Sequence, residues 1–139
     1  MPTSAPSTLS PDRIGTRLTT WPAALALDVL LVLLFAGLGR NAHALDPAGV
    51  LETAWPFLAG LLLGWAVWQV HRAPFAPWPR GAALWLTTVA AGMGLRVLGG
   101  EGAAPSFVLV TLGVLAVFLL GPRCLALLVR TARSRRRTG

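Results

Sequence analysis

The chain contains little charge, no lysine and a single cysteine. Of its 139 residues, 12% are charged and 55% are hydrophobic, and its twelve basic side chains are all arginines. A chain of this composition cannot cover itself with polar surface in water, which excludes a soluble globular domain. The lone Cys124 also excludes an internal disulfide and a paired-thiol redox centre. Lipid is therefore the predicted solvent of most of the chain.

The patterns that mark common active sites are also missing. His43 and His71 are predicted to lie at opposite membrane faces, and no cluster of cysteine and histidine has the spacing of a metal site. No pair of carboxylates has the spacing used in acid–base catalysis, and no glycine-rich loop follows a strand. We therefore expect a protein that is not an enzyme and that binds no metal and no other cofactor.

Long apolar runs dominate what the chain does contain. A hydrocarbon core about 30 Å thick requires about 20 predominantly apolar residues in a helix, and lipid does not tolerate open backbone hydrogen bonds. The sequence therefore predicts an all-α fold, a bundle of four transmembrane helices within residues 21–129. The predicted spans are residues 21–39, 53–70, 81–98 and 105–121, the last with an alternative end at residue 129. Residues 1–20 are predicted to form a disordered tail, and residues 130–139 a basic tail.

The two halves of the predicted bundle are loosely similar. Residues 36–40 followed by 53–57 have a counterpart in residues 91–96 followed by 103–107. Each half is therefore predicted to be one helical hairpin, and both hairpins start on the same side of the membrane. The expected repeat is parallel, with its axis along the membrane normal.

The distribution of arginine predicts the orientation. Ten arginines lie towards the membrane face that both termini share, whereas Arg40 and Arg96 lie towards the opposite face. Because positive residues of short loops stay in the cytoplasm, both termini are predicted to be cytoplasmic in a multi-pass plasma-membrane protein. An alternative is a cleaved leader, since Ala42-His43-Ala44 follows a hydrophobic run and resembles a cleavage site. Asp28 is unusual for such a leader, so we favour a retained first span.

A set of residues spread over all four predicted spans resembles a known family. These residues are Asp28, Gly39-Arg40 with His43, Thr53-Ala54-Trp55-Pro56-Phe57 with Gly60 and Trp65, Gly92-Met93 with Arg96, and Ser106-Phe107. Over roughly residues 25–121 the chain resembles the small prokaryotic membrane proteins called domain of unknown function 3054. The resemblance implies an integral membrane protein of four or so helices. It implies no activity, and it assigns no catalytic or binding residue.

Asp28 is an acidic residue inside a predicted span. It lies roughly 10 Å into the bilayer at helical rise, where an ionised carboxylate facing lipid costs about 2.5–3.5 kcal/mol. We therefore expect Asp28 to face other helices, with Thr87 and Thr88 as hydrogen-bond donors. The nearest cation is Arg123, expected to extend towards the headgroups at the end of the fourth span. Two interpretations remain open for Asp28, a proton or cation site and a buried structural contact.

Arg96 lies near the opposite membrane boundary. It shares a helical face with Thr88 and Gly92. Among the acids on that side we expect Glu52 to pair with it, and the alternative is an arginine that extends to the headgroups. The candidate substrate or ion ligands are thus Asp28, Thr88, Arg96 and Glu52.

Glycines mark the predicted helix contacts. Gly60 and Gly64 form a GxxxG pair in the second span, a motif that lets helix backbones approach closely. We expect packing against a helix of the same chain, with contact between copies as the alternative, and Gly92 is a further predicted packing glycine. Four short helices enclose little volume, so a pore of any width requires an oligomer.

The end of the chain is strongly basic. After Pro122 the arginines gather on one side of a predicted helix and apolar residues on the other, a pattern suited to the membrane surface. The residues predicted to bind anionic lipid headgroups are Arg130, Arg133, Arg135, Arg136 and Arg137. Anchoring on the inner face accounts for this charge, so no nucleic-acid partner is expected.

Two functional hypotheses follow from these residues. The first, which the sequence favours, is a small oligomeric transporter or channel for a small solute or ion, with Asp28, Glu52 and Arg96 along a polar path. The second is a structural or accessory membrane subunit whose polar residues hold together its helices and a partner protein. No motif in the sequence identifies a substrate.

Overall fold

Four long helices make up the described structure. A computed structural model describes residues 12–40 and 46–137. The helices are α1 (Asp12–Gly39), α2 (Pro47–Val67), α3 (Ala82–Leu98) and α4 (Pro105–Arg137), with two short helical turns, Val70–Arg72 and Pro77–Gly81, between α2 and α3. Stretches long and apolar enough to cross a membrane occur in α1, α2 and α4, and in Pro77–Leu98, which joins the second helical turn to α3. The predicted all-α bundle of four membrane-spanning helices is confirmed.

The second helix begins at Pro47 and not at residue 53. Asp46 precedes it with extended backbone, and its carboxylate accepts a hydrogen bond from the Gly49 N–H (3.2 Å). Pro47 occupies the start of the helix, where its missing N–H leaves no bond unmade and its fixed φ suits the helix. An aspartate followed by proline is thus a helix-start signal. It precedes the apolar run, so hydropathy alone places the start too late.

The first and last helices extend beyond the predicted spans. Residues 12–20, within the predicted disordered tail, are helical. The fourth helix continues through Pro122 to Arg137, so it does not break at Gly121 and most of the predicted basic tail is helical. Extending an existing helix adds one hydrogen bond per residue, whereas starting a new helix is costly. A membrane span therefore carries helical structure into the adjoining polar segments.

Some predictions concern residues outside the described ranges. The alternative cleavage site, Ala42-His43-Ala44, lies within residues 41–45, between α1 and α2. The first part of the predicted N-terminal tail, residues 1–11, and the end of the chain, residues 138–139, also lie outside them.

Consecutive helices are antiparallel, so the bundle has two ends of different charge. We call the end where α2 meets α3 the basic end; its described residues include Arg72, Arg80, Arg130, Arg133, Arg135, Arg136 and Arg137. We call the other the acidic end; it carries Asp46, Glu52 and Glu101, together with Arg40 and Arg96. This separation follows from the alternation of short connections along the chain.

The closest helix packing is between α2 and α3. Gly60 and Gly64 both face α3, and a Cβ atom at Gly60 would lie 2.9 Å from the Thr88 carbonyl oxygen. Gly92 of α3 lies against the Phe57 ring of α2. The GxxxG pair therefore packs against a helix of the same chain, as expected. This packing joins the second helix of one predicted hairpin to the first helix of the other.

Aromatic rings fill the core nearer the acidic end. Phe35 of α1 meets Phe57 of α2 edge to face, with 5.2 Å between ring centroids, and its centroid lies 6.4 Å from that of Phe107 of α4. The α4 helix contributes least to the core: 17% of its most apolar stretch is buried, compared with 39% for α2. Much of α4 therefore remains available for contact with lipid.

Candidate functional site

A buried ion pair joins α1 to α4. Asp28 lies on α1 and Arg123 on α4, and both residues are 2% exposed. Arg123 Nη1 donates to Asp28 Oδ1 (2.9 Å), and Nη2 donates to Oδ2 (2.7 Å). Two parallel bonds between a guanidinium and a carboxylate form one of the strongest polar contacts in proteins. Asp28 therefore faces other helices, as expected, and its partner is the predicted cation.

Further hydrogen bonds tie the pair to α2 and to the backbone of α4. The Trp65 indole N–H donates to Asp28 Oδ2 (2.9 Å), and Arg123 Nη1 donates to the Leu119 backbone oxygen (2.6 Å). Pro122 immediately precedes Arg123, and proline disturbs the helical hydrogen-bond ladder around it. Arg123 Nε is buried and has no hydrogen-bond partner among the described residues. Donors from two other helices thus hold the Asp28 carboxylate.

Little space surrounds this pair. The gap beside it, bounded by Leu27, Pro74 and Phe75, is too small to hold a water molecule. Arg123 points into the bundle, which corrects the expectation that it extends towards the headgroups. The physical reason is that an unpaired buried carboxylate is far more costly than a desolvated guanidinium with an ideal partner.

The two threonines predicted to donate to Asp28 bond elsewhere. Thr88 is fully buried on α3, and its hydroxyl donates to the Leu84 backbone oxygen (2.8 Å). The Thr87 hydroxyl accepts a hydrogen bond from the Trp68 indole N–H (2.9 Å). The prediction of these donors is wrong. A helical threonine can satisfy its hydroxyl on the carbonyl four residues earlier, so depth in the membrane does not identify its partner.

Arg96 pairs with Glu101 and not with Glu52, which corrects the predicted pair. Arg96 Nη1 lies 2.7 Å from Glu101 Oε2, and the guanidinium carbon lies 4.6 Å from the centre of the Phe107 ring. Glu101 follows closely in the chain, in the connection between α3 and α4, so this pair needs no contact with another helix. Glu52 is exposed on α2.

The four residues predicted as candidate ligands do not converge on one site. Asp28 pairs near the basic end, whereas Arg96 and Glu52 lie at the acidic end. Glu52 forms no ion pair with any described side chain. Between the two ends, apart from isolated threonines, the core is apolar, with Phe57 and Leu61 fully buried. The described residues therefore form no continuous polar path between the ends.

Sequence reasoning missed the role of three tryptophans. Trp65, Trp68 and Trp85 each donate an indole N–H to a neighbouring helix, and the acceptor of Trp85 is the Leu112 backbone oxygen (3.1 Å). An indole N–H taken out of water needs an acceptor, and apolar spans offer few. The placement of these residues within predicted spans is the signal that could have identified them.

The arginines predicted to bind headgroups lie on the exposed last turns of α4. These residues are Arg130, Arg133, Arg135, Arg136 and Arg137. Headgroup binding by them stays a prediction. Within residues 12–40 and 46–137, no group of three His, Cys, Asp or Glu side chains could hold a metal ion. The expectations of no cofactor and no enzymatic activity also stay predictions.

The chain was compared with models of known protein families. A family model described as "Protein of unknown function (DUF3054)" matches residues 25–126, most of the chain. The chain belongs to the DUF3054 family. The resemblance seen in the sequence is thereby confirmed, and the DUF3054 region contains Asp28, Trp65 and Arg123. No curated protein and no solved structure matches this DUF3054 protein.

Proposed function

We propose that this DUF3054 protein is a structural or accessory subunit of a protein complex in the plasma membrane. It has no transport pathway and no catalytic activity of its own. The observation that carries the proposal is the closed environment of Asp28. A carboxylate that carries protons or cations across a membrane must exchange with water on each side in turn. Here the carboxylate accepts three hydrogen bonds, from Arg123 and Trp65, and is 2% exposed. This geometry favours the second of the two functional hypotheses.

The exposed surface of α4 supports the same proposal. Large apolar side chains project from it along its length, among them Leu109, Val117 and Leu125. Such a face is stable only against lipid or against another apolar helix. An accessory subunit uses this kind of face to associate with a partner, while the buried ion pair keeps its own helices in register.

Flux measurements test the absence of transport through Asp28. We expect proteoliposomes with a valinomycin-set potential to take up protons no faster than protein-free liposomes. Asp28→Asn is expected to show the same rate, because the wild-type carboxylate conducts nothing. Trp65→Phe is a second variant, which removes one donor to the carboxylate without changing charge. A pH-dependent flux in the wild-type protein that either folded variant abolishes would contradict the proposal and support a transporter.

Cross-linking in native membranes tests the accessory role. We expect a photoreactive residue at Val117 on α4 to form a covalent adduct with a second polypeptide in good yield. The matched control is the same residue at Gly94 on α3, where open space surrounds the position. Adducts only with lipid at both positions would contradict the accessory role.

We further propose that both termini are cytoplasmic. The separation of arginines between the two ends supports this orientation, because positive residues of short connections are retained inside. In a Cys124→Ser background, Gly102→Cys reports on the acidic end and Ala132→Cys on the basic end. We expect an impermeant maleimide to label Gly102→Cys in intact cells, and Ala132→Cys only after permeabilisation. The reverse pattern of labelling would contradict the orientation.

A further inference from the structure

A cleft opens at the basic end of the bundle. It lies between α4, Thr20 of α1 and the connection from α2 to α3, and its volume is about 690 Å³. Ligand pockets in proteins range over about 300–1,000 Å³. The lining residues important here are His71, Arg72, Phe75, Trp78 and Arg130. The cleft is distinct from the Asp28–Arg123 pair, since neither of those residues lines it.

The lining of this cleft is basic and carries no carboxylate. Arg72 and Arg130 come from different segments of the chain and face the same space. Neither forms an ion pair with any described side chain. The guanidinium groups of Arg72 and Arg130 and the imidazole of His71 line one space that contains no carboxylate. Such a space is a suitable environment for an anion. Among anions, phosphate oxygens match the planar donor geometry of guanidinium best.

We propose that this cleft binds the phosphate group of an anionic phospholipid. The apolar surroundings favour a lipid over a soluble phosphate compound. Trp78 is 78% exposed at the edge of the cleft, and an indole with an apolar ring and a polar N–H is typical of the headgroup level. Leu127 lines the cleft and is itself half-exposed on α4, so an acyl chain can lie against this helix.

This site goes beyond the proposed accessory role and beyond the general attraction of basic residues to membranes. Diffuse attraction depends on the number of charges near the surface. Binding in the cleft depends on which charges are present, because Arg72 and Arg130 must contact one phosphate together. A comparison of two variants with equal net charge therefore separates the two modes.

Titration of the full-length protein with short-chain lipids tests the proposal. The protein is purified in neutral detergent at 0.15 M salt, where charges more than about 8 Å apart are screened. Dihexanoyl phosphatidylglycerol is the probe, and binding is measured by calorimetry. The cleft variant is Arg72→Gln with Arg130→Gln. The control is Arg136→Gln with Arg137→Gln, which removes the same charge about 9 Å or more beyond Arg130 along the helix.

We expect the cleft variant to raise the dissociation constant about 25-fold. Each cation near an anionic lipid contributes about 1 kcal/mol, which corresponds to about fivefold in affinity. The control variant is expected to change the constant by less than about threefold, because its charges are screened. Dihexanoyl phosphatidylcholine, which has no net charge, is expected to bind at least about tenfold more weakly than phosphatidylglycerol. Unchanged thermal unfolding midpoints show that both variants are folded.

Three outcomes would overturn the proposal. Equal losses of affinity in the two variants would show diffuse attraction and no cleft. Phosphatidylcholine binding as tightly as phosphatidylglycerol would show that the cleft does not select an anionic phospholipid. Glycerol 3-phosphate binding as tightly as phosphatidylglycerol, with the same dependence on Arg72 and Arg130, would assign the site to a soluble phosphate compound.

Discussion

We expect Arg123→Gln to lower the free energy of unfolding by about 3–5 kcal/mol. The substitution leaves the Asp28 carboxyl group buried without its cationic partner, with the Trp65 indole as its remaining described donor. Removing one member of a buried pair is costly mainly because the other charge stays without compensation. The free energy is measured by steric trapping or by denaturant titration in micelles or bicelles. Arg136→Gln, on the exposed end of the same helix, is the matched control and is expected to cause no measurable change.

Replacing both members of the pair tests whether the loss comes from the pair itself. We expect Asp28→Leu combined with Arg123→Met to recover most of the stability lost in Arg123→Gln, because apolar side chains of similar size often replace a buried ion pair at little cost. The single substitutions Asp28→Leu and Arg123→Met are measured beside the double substitution, and the three losses give the coupling energy between the two residues. A double substitution whose loss equals the sum of the single losses would contradict the direct contact between Asp28 and Arg123.

The second large effect is expected at the α2–α3 interface. We expect Gly60→Ala to lower the free energy of unfolding by about 1–3 kcal/mol, the usual cost of overpacking. The added methyl group would lie 2.9 Å from the Thr88 carbonyl oxygen, a backbone atom that cannot move without shifting α3. Gly92→Ala is expected to have a similar effect, because its methyl group would overlap the fully buried Phe57 ring. The same unfolding measurement applies.

Gly94→Ala is the control for this interface. It lies on the same helix as Gly92, and nothing lies within 4 Å of a Cβ atom at this position. Alanine is the better helix former, so we expect a gain of up to about 1 kcal/mol. Equal effects of alanine at Gly92 and Gly94 would show that the two helices do not pack as described.

The sequence predicts the number and type of the helices because these depend on properties that are local in the chain. The thickness of the hydrocarbon core fixes the length of an apolar run, and the absence of water inside it requires a helix. The close contact at Gly60 is also predictable, since small residues at helical spacing allow backbones to approach. The burial of Asp28 follows from the cost of exposing it to lipid.

The contacts between helices depend on how each helix is rotated and shifted, and the sequence does not specify this. Asp28 and Arg123 are 95 residues apart in the chain, and depth alone identifies Arg123 as a cation within reach without giving its orientation. Depth gives the wrong donors at Thr87 and Thr88, because the Thr88 hydroxyl donates within its own helix and the Thr87 hydroxyl accepts from Trp68. Trp65 lies two residues from the end of α2, and the packing of α1 on α2 is what makes Asp28 the acceptor of its indole N–H.

The ion pair of Arg96 is a second contact that the sequence does not predict correctly. Three acids lie at the same end of the bundle, Asp46, Glu52 and Glu101, and the predicted partner of Arg96 is Glu52. Glu101 is the partner because the connection between α3 and α4 folds it back onto Arg96. Short connections thus decide local pairs that membrane depth does not distinguish.

Solid-state NMR in lipid bilayers tests the central claim most directly, that Asp28 and Arg123 form a closed ion pair. The protein is labelled with ¹⁵N in arginine and ¹³C in the aspartate carboxyl groups, and dipolar recoupling measures the distance between guanidinium nitrogen and carboxyl carbon. We predict a distance below about 4 Å for Asp28, with a signal that disappears in Asp28→Asn. An Asp28 carboxyl signal without a guanidinium nitrogen within that distance, in the folded protein, would contradict the account.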